Sequence, residues 1–287
     1  MQESVLSTVI LPLALGIIML GLGLSLTIAD FTRVVKYPKA VIIGLLCQML
    51  ILPLAAFFVA QAFSMSPELA VGLMLLAASP GGPTANLYSH LANGDVALNI
   101  TLTANNSVLT LFSLPFIVSL SINHFLGESQ TIVMPFDKII TVFAIVLIPV
   151  AIGMSIRNYF PQLTEKLRKP VKTASAILLV LVIAAAIVKD KEILAKYFAQ
   201  IGLAAFAFNI LSLLCGYFIP KLVRIDNRQA IAIGMEIGIH NGTLAIFIAL
   251  TVLNNSVMSV PPAIYSIIMF FTAAAFGYLV NRGSRRA

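Results

Sequence analysis

Apolar residues run along this chain in stretches of roughly 20, parted by short clusters of charge, proline and glycine. A helix of that length crosses about 30 Å of hydrocarbon, and the stretches lack the alternation of apolar and polar residues that marks a barrel strand. The pattern predicts nine membrane-spanning helices, at about 5–29, 40–63, 69–92, 95–121, 138–157, 173–188, 198–220, 229–253 and 260–280. The first run reads as a span and not as a secretory signal, because Glu3 stands where basic residues are expected and the apolar core is too long.

Two of these runs cannot be continuous helices. The third contains Ser79-Pro80-Gly81-Gly82-Pro83-Thr84-Ala85-Asn86, in which two prolines and two glycines break the backbone ladder. The eighth contains Gly234-Met235-Glu236-Ile237-Gly238-Ile239-His240-Asn241-Gly242-Thr243, loosened by three glycines. Irregular backbone at membrane depth persists only where protein covers it or a wet cavity borders it. A break also frees carbonyl oxygens and starts a new half-helix with a positive N-terminus, so it can hold both cations and anions. Thr84 or Asn86, and Asn241 or Thr243, are candidate caps for the restarted helices.

The two breaks occupy matching places in opposed halves, spans one to four pairing with spans six to nine. Leu46-Cys47 ahead of Pro53 and Leu214-Cys215 ahead of Pro220 repeat within the second and seventh spans. The expected architecture is an inverted-topology repeat, five helices plus five with the first one missing, and a binding site at the midplane between the halves.

Composition fits this reading: 60% of residues are hydrophobic and 10% charged, with a mean hydropathy of +1.01. The formal charge of +7 comes from basic residues scattered in short loops without an aromatic-rich patch, which excludes a nucleic-acid partner. Loops after odd-numbered spans hold Arg33, Lys36, Lys39, Arg157, Lys166, Arg168, Lys169, Lys172, Lys221, Arg224 and Arg228, and the tail adds Arg282, Arg285 and Arg286. The opposite loops hold Lys138, Lys189, Lys191 and Lys196. That asymmetry places the N-terminus outside and the C-terminus in the cytoplasm of a cell membrane. Cys47 and Cys215 both fall within spans and indicate neither a disulfide framework nor a zinc site.

Glu236 is the first functional suspect. A carboxylate in mid-bilayer costs roughly 2.5–3.5 kcal/mol on insertion scales, and no Lys or Arg lies inside any span to offset it. His240, four residues on, would share its face only if the helix continued. In the fourth span Asn99, Thr103, Asn106 and Thr110 are spaced by four, three and four, which puts them on one helical face. Such a stripe serves either interhelical hydrogen bonding or a site, with Asn99 and Thr103 as the deeper pair. Gln48 in the second span either satisfies a carbonyl freed by Pro53 or joins a site. Carboxylate, amide oxygens, hydroxyls and unwound carbonyls form the donor set of a hard cation, which sodium fits. Histidines at 90, 124 and 240 only do not make a zinc or copper cluster, and Gly21-Leu22-Gly23 follows no strand and is a helix contact.

The run Ser79-Pro80-Gly81-Gly82-Pro83-Thr84-Ala85-Asn86, then Leu91-Ala92-Asn93-Gly94-Asp95-Val96-Ala97-Leu98, with Glu236-Ile237-Gly238-Ile239-His240-Asn241 and Cys47-Gln48 ahead of Pro53, resembles the bile acid:sodium symporter family over essentially the whole chain. The resemblance implies a ten-helix inverted repeat less its first helix, with a panel domain (about 5–29 and 138–188) and a core domain (about 40–121 and 198–280) whose two broken helices cross. It implies one sodium site from Asn86, Asn99, Thr103 and Glu236. It implies a second from Gln48, Glu236, the backbone oxygens of Ile237 and Ile239, and the residue at 240. Ala85 and Asn99 stand where the family usually has serine, and His240 where it has glutamine. A histidine there offers nitrogen and can take a proton, which opens the prospect of a weakened or replaced sodium step.

The chain therefore reads as an all-α membrane carrier using one or two Na+ as coupling ion to move a small organic anion, bile-acid-like or a smaller carboxylate such as pantoate. Thr84, Asn106, Asn241 and Thr243 are candidate substrate contacts. A proton-coupled or uncoupled carrier keeps the fold and changes the ion. An intramembrane enzyme would need paired acids, a zinc motif or an activated nucleophile in the spans, and one glutamate with one histidine is thin material for it.

Overall fold

A computed structural model describes residues 9–127, 136–189 and 191–284. Residues 5–8 of the first predicted span, Arg285 and Arg286 lie outside the described residues, as do the side chains of Lys138, Lys189, Lys191 and Lys196. Among the described residues every regular element is helical, apart from a single antiparallel bridge between Gly81 and His240.

Helix α1 (Leu11–Gly23) is followed by a short link and α2 (Ile28–Thr32). The first predicted span is thus not one rod: the chain bends by 77° between these two helices. Thr27 and Asp30 cause the restart by capping each other, and Asp30 also takes an ion pair from Arg33 at 2.6 Å. Next come α3 (Pro38–Leu46), a wide turn at Cys47–Ile51 and α4 (Leu52–Ala62), which form one continuous span. The wide turn, in which Leu52 N–H reaches Cys47 O, accommodates the ring of Pro53.

The third predicted run divides into α5 (Pro67–Ala78) and α6 (Ala85–Leu91). Then follow α7 (Val96–Leu126), α8 (Phe136–Tyr159), α9 (Pro161–Lys189) and α10 (Lys191–Leu222). The predicted sixth span is the C-terminal part of α9, whose first turns carry Glu165, Lys166, Arg168, Lys169 and Lys172. The eighth run divides into α11 (Asn227–Gly238) and α12 (Gly242–Phe247), the latter extended by a wide turn at Ile248–Val252, and α13 (Val260–Ser284) closes the chain. Among the described residues five helices are long and apolar enough to cross a membrane, six if the bent pair counts as one. Large apolar side chains such as Phe58, Phe112, Phe116 and Phe271 are exposed on their outer surfaces, as a lipid-facing band requires.

Hydrogen bonds sort the connections into two ends. At one, Arg157 at the end of α8 donates to Ser25 O, Lys39 Nζ donates to Val223 O, Asp95 N–H donates to Arg228 O, and Asn93 donates to Asn281 at 2.9 Å. At the other, Gln200 donates to Phe63 O and Ser64 O. Arg33, Lys36, Lys39, Arg157, Arg224, Arg228 and Arg282 lie in or beside the connections that meet at the first end.

Helix α1 packs on α8 and α9, while α5, α7, α10, α11 and α13 surround the two breaks. The α1–α8 contact is backbone on backbone: a Cβ at Gly23 would stand 2.2 Å from Val150 O, and one at Gly153 2.6 Å from Leu20 O. Glycine permits that approach, which in lipid replaces the missing hydrophobic drive with close van der Waals packing. Gly153→Val should therefore cost about 1–3 kcal/mol through overpacking. The expected readout is a lower melting temperature in detergent than that of the unchanged protein; an equal melting temperature would contradict this packing.

Candidate functional site

The two interrupted runs meet backbone to backbone. Proline and glycine end α5 at Ala78, and the following carbonyls have no helical donor above them. Gly82 N–H donates to Ile239 O at 2.7 Å and Asn241 N–H donates to Pro80 O at 2.9 Å, so each break satisfies the other. A continued helix would have sent Asn241 N–H to Ile237 O; its diversion releases the Ile237 carbonyl from the ladder. Gly238 O, similarly released, is taken by Asn209 Nδ2 at 2.9 Å and Tyr265 Oη at 3.0 Å. Asn241 caps α12, its Oδ1 accepting from Leu244 N–H at 3.1 Å. Thr84 occupies the corresponding position before α6 but makes no side-chain cap.

Glu236 lies in the last turn of α11, fully buried. Thr103 Oγ1 donates to its Oε2 at 2.6 Å and Asn106 Nδ2 to its Oε1 at 3.3 Å. Gly81 presses against the same carboxylate, since a Cβ there would fall 2.2 Å from Oε1. Among the described residues no ion pair to Glu236 exists; His240 turns elsewhere, its Nδ1 3.2 Å from Ser79 O. A carbonyl only accepts, so Nδ1 carries the ring proton and Nε2 presents a lone pair. The ring is held by Phe208, stacked at 5.8 Å, and by the edge of Tyr265 at 5.4 Å.

Near the breaks, Gln48, Asn99 and Asn106 spend N–H groups on protein and leave their oxygens without a partner. Gln48 Nε2 donates to Ala77 O at 3.2 Å and Ser79 O at 2.9 Å, so its role is at the first break and not at the carbonyl freed by Pro53. Asn99 Nδ2 donates to Ala232 O at 2.7 Å. Gln48 Oε1, Asn86 Oδ1, Asn99 Oδ1, Asn106 Oδ1, Thr110 Oγ1 and His240 Nε2 are all buried without a hydrogen-bond partner. Each such orphan costs about 1–3 kcal/mol. A set rich in oxygen acceptors around a carboxylate is complementary to a hard monovalent cation. Among the described residues no group of three or more His, Cys, Asp and Glu forms a cluster suited to a transition metal.

The predicted residues are therefore gathered unevenly. Glu236, Thr103 and Asn106 touch directly, and Asn99 joins them one turn away on α7. Gln48 and His240 meet at Ser79 O, while Ile239 O is engaged by Gly82. Asn106, anticipated as a substrate contact, donates its Nδ2 to the carboxylate and keeps its Oδ1 without a partner. Asn241 lines an apolar cleft with Pro80, Ser107, Thr110 and Phe143, between the crossing and the α1–α8 pair. Thr243 is buried beside that crossing in the first turn of α12, and Thr84 is only half-buried.

Sequence reading passed over Ser79, Asn209 and Tyr265. Ser79 acts through its carbonyl, which no side-chain pattern reveals. Asn209 is an amide inside an apolar run, and that polarity at membrane depth was its available signal.

Residues 11–197 match the model of the sodium bile acid symporter family. A sodium-dependent transporter of Bacillus subtilis, uncharacterized YocS, is 31% identical over 88% of this chain and 77% of its own length. The human ileal sodium/bile acid cotransporter is 27% identical over 95% of this chain and 79% of its own. A probable chloroplastic sodium/metabolite cotransporter of Oryza sativa subsp. japonica, BASS2, is 27% identical over 97% of this chain, which spans 65% of that protein's length. With the crossed breaks and the buried glutamate in view, the conclusion is that the chain belongs to the sodium bile acid symporter family.

Proposed function

We propose that this protein is a sodium symporter that couples the inward gradient of one or two Na+ to uptake of a small organic anion. The observation that carries the reading is Glu236, fully buried at the crossing with no ion pair among the described residues, where Gln48, Asn99 and Asn106 keep buried amide oxygens without a hydrogen-bond partner. In this account Asn86, Asn99, Thr103 and Glu236 hold one ion, with Asn106 orienting the carboxylate. Gln48, His240, Glu236 and the carbonyls of Ile237 and Ile239 hold the second. Two ions against one carboxylate leave a net positive charge that favours an anionic substrate and disfavours it once sodium departs. Affinities for ion and substrate are then linked reciprocally.

The cleft bordered by Thr110, Asn241 and Phe143 is the proposed substrate entrance, with Thr84 and Thr243 as nearby hydroxyls. The cleft holds about 10 Å³, room for about one water, so its apolar lining would meet a carboxylate with a hydrocarbon body, bile-acid-like or as small as pantoate, once its two sides part. We assign nine spans in an inverted repeat lacking the first of ten helices. The helices near 5–29 and 138–188 form a panel, and those near 40–121 and 198–280 form a core whose rocking alternates access. The basic end faces the cytoplasm and the N-terminus lies outside a cell membrane.

A second reading, a proton-coupled carrier of the same fold, draws on the free Nε2 of His240 beside Gln48. Replacing sodium by choline in proteoliposomes separates the two: uptake stops for a symporter of sodium and continues for a proton-coupled or uncoupled carrier.

Glu236→Ala should abolish sodium-driven uptake in proteoliposomes while the protein remains inserted and folded. Retained sodium-driven uptake in that variant would refute the role assigned to this carboxylate. In a thermal-shift screen of carboxylates, the substrate should stabilise the protein markedly more with sodium than with choline, by about 2.7 kcal/mol at 100-fold its dissociation constant. Stabilisation that ignores the cation would contradict coupling.

A further inference from the structure

At the basic end, the link between α2 and α3 meets the link between α10 and α11 in an open cleft of about 240 Å³. Lys36, Tyr37, Lys39, Arg224, Asp226 and Gln229 are among its walls. Three cations thus face one carboxylate. That carboxylate is already committed, since Asp226 Oδ1 accepts from Arg228 N–H at 2.8 Å to cap α11. The cations are held open: Arg224 sits in a left-handed turn at φ 59°, Lys39 Nζ is tethered to Val223 O at 2.5 Å, and Lys36 Nζ lies 5.6 Å from the centre of the Tyr37 ring.

Immediately beside these charges stand the two most exposed large apolar residues described, Val35 at 86% and Leu222 at 81%. Each is adjacent or nearly so in sequence to a lining cation, Val35 to Lys36 and Leu222 to Arg224. A cavity of about 240 Å³ with positive walls, and exposed apolar residues next to its cations in sequence, is complementary to a molecule that is anionic at one end and hydrocarbon at the other. Basic pockets between membrane helices bind acidic headgroups in this way, adding specific contacts to the general attraction of an anionic leaflet.

We infer that this cleft is a binding site for one acidic phospholipid, its phosphate between Lys36, Lys39 and Arg224 and its acyl chains over Val35 and Leu222. The bound headgroup neutralises the crowded cations and ties the start of α3 to the α10–α11 link. It would thereby stabilise the half of the protein that carries both Gln48 and Glu236.

The test uses the full chain in detergent, titrated with phosphatidylglycerol, with phosphatidylcholine and with inorganic phosphate while its melting temperature is followed. Phosphatidylglycerol should raise the melting temperature saturably, and neither phosphatidylcholine nor inorganic phosphate should do so. The double variant Lys36→Gln/Arg224→Gln should need at least about tenfold more phosphatidylglycerol for half the shift. Lys166→Gln/Lys169→Gln, which removes the same charge from exposed positions on α9, should behave as the unchanged protein. An unaltered response of the cleft variant, an equal loss in the α9 variant, or the same shift with inorganic phosphate would each overturn the proposal. If the double variant melts early without lipid, Lys36→Gln alone should show about a fivefold weakening, and an unchanged titration there would overturn the proposal too.

Discussion

Two backbone hydrogen bonds, Gly82 N–H to Ile239 O and Asn241 N–H to Pro80 O, are the constraint on which the site depends. A helix interrupted in hydrocarbon exposes carbonyl and amide groups whose burial without partners costs several kcal/mol. Crossing the interruptions lets each supply what the other lacks. Of the other released carbonyls, those of Ala77, Ser79 and Gly238 are collected by Gln48, His240, Asn209 and Tyr265, while that of Ile237 is left outside the ladder. Glycine at 81 is demanded by the same geometry, since any side chain there would occupy the place of the Glu236 carboxylate.

The amides at this crossing have a direction. Because backbone carbonyls and the carboxylate accept, Gln48, Asn99 and Asn106 must turn their nitrogens toward them, and their oxygens are left facing buried space. Satisfying the breaks and leaving buried oxygen acceptors unpartnered are thus one arrangement. An ion entering it would relieve several orphaned acceptors and one uncompensated charge together, which is the physical basis for expecting ion binding to order the crossing.

The α1–α8 pair is built on a different principle. There glycine meets backbone at Gly23 and Gly153, and the apolar cleft lies where this pair faces Asn241 and Thr110.

Much of this was legible in the chain. The apolar runs, both breaks, the single-faced stripe of Asn99, Thr103, Asn106 and Thr110, and the isolation of Glu236 all follow from spacing and from the cost of charge in hydrocarbon. Family motifs carried the candidate ligands. The bend after Gly23 was hidden, because Leu24–Thr27 stays apolar enough to pass for helix while Thr27 and Asp30 quietly restart the chain. The direction of Gln48, the turning of His240 toward Ser79 O, and the hydrogen bond from Asn106 to the carboxylate belonged to tertiary structure alone. Those choices depend on which carbonyl another segment leaves bare, and one-dimensional spacing records that a polar group is buried without recording what it meets.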